Sequence, residues 1–483
     1  MTAVPKPPST TSISAKLFYG MGAIAYGIKS NGFSYLLLIY YNQVLGLPQT
    51  LVGTGIFIAL FIDALSDPIV GSASDNLKSR WGRRHPFMYA SALPIALCYF
   101  FLWSPPTGLS TQGLFIYFVI MAILVRTTIT FYEIPSSALV AELTEDYHER
   151  TLFLSLRHFF GWCGGLSIAV FTYLVLLVPT PEYPIGVLNP QGYHRYGLIS
   201  SVLIFIVIIV SSLGTHRYIP QLKQPQYKHR PGLGLIVSQT LETLRNRSFI
   251  ALFSSALFLA LAAGTATSLS IYFNTFYWEL NNTQIGSLMA ALFGAAALAL
   301  ILAPRIGRRL GKKTAAITLG IVSALLSPAP FILRSLGWFP ENGTEQLFYT
   351  LVSFQVVDVT LIIMTGIMID SMIADIVEQS ELSTGRRSEG VFFAARSFIA
   401  KSVSGVGVLI ATTLLSIVNF PKDAQPGSVE PETIVRLGLL YAPTIFTLYM
   451  TSIVVIFAYR ISQQTHESTL AELAGNKQGK ATQ

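Results

Sequence analysis

Apolar residues run along this chain in blocks of about twenty or more, broken by short polar turns. A helix needs about 20 apolar residues to cross the hydrocarbon of a bilayer. By that ruler twelve segments qualify, near 17–44, 49–72, 87–104, 112–137, 152–178, 197–215, 248–275, 283–303, 313–333, 346–374, 391–419 and 437–460. Those at 87–104 and 197–215 are short. Those at 17–44 and 346–374 are long and contain or adjoin polar residues. Lipid offers no partner to a loose backbone N–H or C=O, so each segment is expected to be a helix. The long polar break at 216–247 divides the helices six and six. It carries Arg217, Lys223, Lys228, Arg230, Arg245 and Arg247. The expected plan is therefore a tail over 1–16, a six-helix bundle over 17–215, the linker 216–247, a second bundle over 248–460 and a tail over 461–483.

Composition supports the bilayer as the main solvent. Of 483 residues, 52% are hydrophobic and 12% charged, where a soluble domain carries about 25% charged residues. The net charge of +8 does not indicate nucleic acid, because the basic residues lie in turns between apolar segments. With the N-terminus in the cytoplasm, about 23 of the 32 Lys and Arg fall on the inner side and about four outside. Both termini are thus expected in the cytoplasm of a cell (inner) membrane protein. No signal peptide precedes the first apolar segment, which reads as a retained spanning helix. Cys98 and Cys163 lie in apolar surroundings and read as small hydrophobes.

The halves echo each other. Gly82-Arg83-Arg84 and Gly307-Arg308-Arg309 follow the second helix of each half, and Glu142-Leu143 and Glu381-Leu382 the fourth. Each acidic pair is succeeded by a basic residue and a hydroxyl, Arg150-Thr151 and Arg387-Ser388. Internal duplication of this kind marks transporter folds with two pseudo-symmetric bundles.

Ionisable residues inside a membrane cost about 2.5–3.5 kcal/mol or more each, so each is a candidate for function. Asp63 and Asp67 are four apart, which puts both carboxylates on one helical face. Two such groups repel unless one is protonated, paired or cation-bound. Pro68 weakens the helix beside them. Glu133 on the fourth helix can complete a three-acid site for Na⁺ or H⁺. Arg126 is two turns from Glu133, too far for a direct bond. Arg157, Arg396 and Lys401 bring positive charge to the fifth and eleventh helices. Lys29 lies among Tyr26, Gly27 and Asn31; the glycines suggest a break that lines a cavity, with snorkelling to the interface as the alternative. Asp75 reads as a helix-end cap. Asp75, Arg80, Gly82, Arg83, Arg84, Arg308 and Arg309 are expected to form cytoplasmic latches in the turns 75–84 and 304–313. Tyr132, Trp162 and Tyr272 could stack on a sugar ring, whereas Trp103, Trp278 and Trp338 read as interface belt residues. Asn281-Asn282-Thr283 and Asn342-Gly343-Thr344 match the glycosylation sequon weakly. No catalytic metal, serine-elbow or phosphate-loop motif occurs, so an enzyme is not expected.

In this order the residues resemble the glycoside–pentoside–hexuronide:cation symporter family of the major facilitator superfamily. The carrying segments are Asp63-Ala64-Leu65-Ser66-Asp67-Pro68 through Arg80-Trp81-Gly82-Arg83-Arg84, Glu133-Ile134-Pro135 through Arg150-Thr151, and Ala374-Asp375-Ile376-Val377 through Lys401. The resemblance implies an all-α membrane protein with twelve transmembrane helices in two six-helix bundles, the major facilitator fold. It implies that Asp63, Asp67 and Glu133 hold the coupling cation and that Lys401 links that site to the sugar site, near which Arg157 lies. Ser137 stands where the family has a sugar-stacking Trp, and Arg396 where it has Gln. An extra Arg and the absence of a first-helix acid favour an anionic or phosphorylated substrate such as a hexuronide. The expected function is Na⁺- or H⁺-coupled symport of a sugar, glycoside or hexuronide by a monomer, with no cofactor beyond the coupling ion. The rival is transport of a lysophospholipid or another amphiphile.

Overall fold

The computed structural model describes residues 12–144, 147–221, 247–384, 403, 405–422, 424 and 429–459. Ten of the described helices are long and apolar enough to cross a membrane. Packing divides the chain into two compact units, Met1–Gln226 and Tyr227–Gln483.

The first unit opens with α1 (Ile13–Met21) and α2 (Ala23–Asn31), which continue through a short helix and two π-helical turns to Val44. The spans α3 (Gln49–Asn76), α4 (His85–Leu102), α5 (Thr111–Ala138), α6 (Tyr147–Phe171) and α7 (Pro190–His216) follow. Helix starts carry the side chains that orphan N–H groups need. Ser110 accepts from Gly113 N at 3.1 Å ahead of α5, and Asn189 from Gln191 N at 3.1 Å ahead of α7. The segment expected to be short at 197–215 is a 27-residue helix, because Pro190 opens it and the polar first turns extend the apolar run.

The second unit contains α8 (Arg247–Tyr272), α9 (Asn282–Leu310), α10 (Lys312–Leu326), α11 (Glu345–Thr384), α12 (Gly405–Ile417) and α13 (Pro431–Ile456). A capping box starts α9: Asn281 accepts from Gln284 N at 2.9 Å, and Gln284 accepts from Asn281 N at 3.0 Å. The expected span 391–419 is described only over its second half.

Two sequence echoes fall differently in space. The glycines with left-handed backbone in the equivalent turns are Gly82 (φ +73°) and Gly311 (φ +77°), not Gly307. Arg308 and Arg309 lie in the last turn of α9, where cations offset the helix dipole. Glu381-Leu382 lies within α11 rather than after it, since α11 runs for 40 residues.

Large apolar side chains point outward, among them Ile69, Leu300 and Leu325. Such a surface suits lipid. Trp103 and Trp278 do not belong to an interface belt: both are buried, Trp103 against Tyr40, Tyr193 and Tyr196 and Trp278 against Tyr277, Phe331 and Phe339. Trp338 is 76% exposed. Tyr132 and Tyr272 are also buried, so neither ring face is open to a sugar.

Gly27 is not a break. Helix α2 runs through it, and a Cβ there would collide with the carbonyl of Gly161 and the amide of Gly165 on α6. The glycines allow backbone-to-backbone approach, the usual basis of close helix crossings in membranes. A π-helical turn begins at Gly32, which has no room for a side chain beside Tyr99, Tyr196 and Trp103.

Candidate functional site

The packing of α3 on α5 brings chemistry together inside the first unit. Asp63, only 1% exposed, projects from α3 toward α5. Its Oδ2 accepts from Arg126 Nη1 at 2.8 Å. The guanidinium also lies over the Phe33 ring, 4.6 Å from its centroid. The pair resolves the expectation for Arg126: its partner is Asp63 on the neighbouring helix, not Glu133 on its own.

Thr130, one turn beyond Arg126, holds the centre. Its Oγ1 is 3.0 Å from Asp63 Oδ1, 3.2 Å from Asp67 Oδ1 and 3.0 Å from the Arg126 carbonyl oxygen. A hydroxyl has one proton, so it donates to one of these acceptors at a time. Three oxygens thus surround a fourth that carries a single hydrogen. Either an added proton or a hard cation suits this oxygen-rich place.

The structure brings Asp63 and Asp67 to one hydroxyl. It does not gather Glu133 with them: among the described residues, no three carboxylate, imidazole or thiol groups converge as metal ligands. The third oxygen comes from Thr130. Glu133 instead offers its backbone carbonyl to Arg157 Nη2 at 3.3 Å, while Arg157 Nη1 donates to Ser136 at 3.1 Å. The Arg157 guanidinium lies 5.6 Å from the Tyr19 ring centroid. Ser137 is bound back into its own helix through Ile134 O at 2.9 Å, and its carbonyl accepts from Tyr19 at 3.1 Å. Lys29 is buried at 1% exposure, with Nζ 4.5 Å from the Tyr26 ring centroid, so it does not snorkel. Arg396 and Lys401 lie outside the described residues.

At the C-terminal end of α3 a second ionic group forms. Arg83 Nη2 and Arg84 Nε both bind Glu142 Oε1, the former at 2.7 Å, and Arg84 Nη2 reaches Asp75 at 3.1 Å. Asp75, within the last turn of α3, is therefore an ion-pair partner rather than the expected helix-end cap. Arg80 is exposed, with its guanidinium over Trp81. In the second unit the matching ion pair is Lys312–Asp375 at 2.6 Å, while Arg308 and Arg309 are exposed. Lys313 donates to Phe457 O and Tyr459 O at 3.1 and 2.6 Å. The basic run 305–313 contained Lys312, but nothing in the run marked which residue would meet an acid.

Sequence reading also passed over Thr130 and Asp358. A threonine in an apolar helix carries no signal by itself. Asp358 did carry one, as an acid within Val356-Val357-Asp358-Val359. It accepts from Ser323 at 2.7 Å and Ser327 at 2.5 Å. It borders a cavity of about 170 Å³ whose wall includes Asn274, Trp278, Phe331, Gln355 and Tyr441.

Solved structures share this architecture. The nucleoside transporter NupG superposes with a TM-score of 0.61 at 14% identity, covering 93% of this chain and 99% of that one. A D-xylose–proton symporter gives 0.62 at 12% identity, covering 93% and 98%. The protein is thus a multi-pass helical membrane protein of the major facilitator fold. More narrowly, the chain belongs to the MFS/sugar transport protein family, whose model matches residues 18–463. An uncharacterized symporter of Synechocystis sp. is 26% identical over 96% of this chain and 97% of its own length. The isoprimeverose transporter of Lactiplantibacillus pentosus is 22% identical over 85% and 82%. A glucuronide carrier protein homolog of Escherichia coli is 22% identical over 95% and 95%.

Proposed function

We propose that the protein is a symporter that moves a sugar-like solute, a glycoside or hexuronide, together with Na⁺ or H⁺. The observation that carries the cation half is the Thr130 hydroxyl set among Asp63, Asp67 and a backbone carbonyl, with one hydrogen for three acceptors. A bound cation or proton lowers the repulsion of the two carboxylates. The solute half rests on family membership and on relatives named for isoprimeverose and glucuronide. Arg157, with its fork-shaped donor set, suits a hydroxyl or carboxylate on the solute. Arg396, Lys401, Lys29 and Glu133 are assigned to the same solute path. Coupling is then a reciprocal free energy: the cation raises affinity for the solute, and the solute for the cation. The ionic groups around Glu142 and Asp375 act as latches on the inner side of a cell membrane protein with both termini in the cytoplasm.

The test is uptake of labelled glycosides and hexuronides into proteoliposomes, with and without imposed Na⁺ or H⁺ gradients. Gradient-driven accumulation of one class is expected, lost in Asp67→Ala. Accumulation that ignores both gradients, or that survives Asp67→Ala unchanged, would refute the reading.

A further inference from the structure

Asp63 already has a cation, and it is part of the protein. Arg126 Nη1 lies 2.8 Å from Asp63 Oδ2, with both side chains almost fully enclosed, at 8% and 1% exposure. We propose that Arg126 is a tethered cation that competes with the mobile coupling ion for Asp63, and so sets the affinity of the site. The inference rests on the reading of Asp63, Asp67 and Thr130 as the cation site, and deepens it.

Charge counting gives the first reason. Asp63 and Asp67 carry two negative charges when both are ionised, and Arg126 cancels one. A guanidinium does not lose its proton in a protein, so this cancellation holds at every working pH. With a neutral residue at 126, a mobile ion would be held more tightly.

Geometry gives the second. The guanidinium takes one oxygen of Asp63, and Thr130 stands at the other. A mobile ion beside Thr130 therefore meets one oxygen each from Asp63 and Asp67 while the fixed positive charge lies across the same carboxylate. The two cations share Asp63 and repel each other through it. The guanidinium is also incompletely bonded: Arg126 Nε is buried without a hydrogen-bond partner among the described residues. A merely structural arginine is expected to use its full fork, as paired guanidiniums do. Here one arm is spent on the acid, and the Phe33 ring supplies a face 4.6 Å away. That ring face is a place for the guanidinium to remain when its hold on Asp63 weakens, since cation–π contact does not need the carboxylate. Entry of the mobile ion thus weakens the Arg126–Asp63 bond, and the bond reforms when the ion leaves.

The experiment reads ion binding by purified wild-type protein and Arg126→Gln, without any sugar. Two readouts are used: retention of radioactive Na⁺, and proton uptake by weakly buffered protein between pH 5 and 8. An opposite charge this close changes ion affinity by roughly ten- to a thousandfold, so Arg126→Gln is expected to bind Na⁺ or H⁺ at least about tenfold more tightly. Arg126→Lys, which keeps the charge, should stay near wild type. Asp63→Asn added to Arg126→Gln should erase the gain. Unchanged or weaker binding of both ions in Arg126→Gln overturns the proposal, as does an equal gain in Arg126→Lys. If Arg126→Gln does not fold, Arg126→Ala is measured with guanidinium ion added. Guanidinium should then compete with Na⁺ or H⁺ in the variant and not in wild type, and equal competition in both overturns the proposal. Because sugar is absent, the result is independent of the solute reading: a protein that shows the shift but transports no glycoside or hexuronide keeps this inference and loses that one.

Discussion

Gly27 gives the sharpest test of how the first unit is built. In Gly27→Ala a single methyl must enter the crossing of α2 and α6. Its nearest neighbours are backbone atoms, with the Gly165 amide nitrogen at 2.8 Å and the Gly161 carbonyl carbon at 3.0 Å, and the Gly161 carbonyl oxygen nearer still. Side chains can change rotamer to make room, but backbone cannot, so the helices must separate by some tenths of an ångström along the whole contact. Overpacking costs about 1–3 kcal/mol when side chains can adjust, and this case belongs at the upper end, about 3 kcal/mol. For a unit the size of Met1–Gln226, each kcal/mol moves a thermal midpoint by about 2–4 °C. The expected drop is therefore about 6–12 °C in detergent, followed by tryptophan fluorescence. Gly71→Ala is the control. It lies in α3 of the same unit, and its Cβ would meet only Ile134 Cγ2 at 3.5 Å, an ordinary contact. It should change the midpoint by less than about 2 °C, as most well-accommodated substitutions do. Equal midpoints for the two variants would refute the close-crossing argument.

Two other outcomes follow from the ionic and polar groups. Glu142→Gln removes the shared partner of Arg83 and Arg84, leaving guanidiniums that are 20% and 8% exposed, and should cost about 3 kcal/mol, near the low end for a broken buried pair; Arg80→Ala, at an exposed position, should cost under about 0.5 kcal/mol, and equal midpoint shifts in a thermal melt would contradict this. Ser323→Ala with Ser327→Ala strips Asp358 of both hydroxyl donors and should cost about 1–3 kcal/mol per lost donor. The loss should shrink in an Asp358→Leu background, where no acceptor remains; a double-mutant cycle with no coupling would show that these hydroxyls do not hold the carboxyl.

The lengths and spacing of the apolar runs already revealed the solvent, the helices and the list of costly side chains. Bilayer thickness sets the length of an apolar run, so most spans were legible to within a few residues. Helical periodicity placed Asp63 and Asp67 on one face, and both do reach Thr130. What lies outside the bilayer was less legible, because the thickness rule no longer applies there: α11 continues for 40 residues, and α7 begins in polar turns. Which of those side chains meet was set by helix packing. Arg126 is closer in sequence to Glu133, yet it binds Asp63, because the α3–α5 crossing outweighs a separation of two turns within one helix. The same crossing made an ordinary threonine the centre of the site. Likewise Lys312, rather than Arg308 or Arg309, found its acid, and Trp103 and Trp278 turned inward. Each of these depends on the angle and depth at which two helices pack, which is summed over many side chains along both surfaces. No local run of residues encodes such a sum.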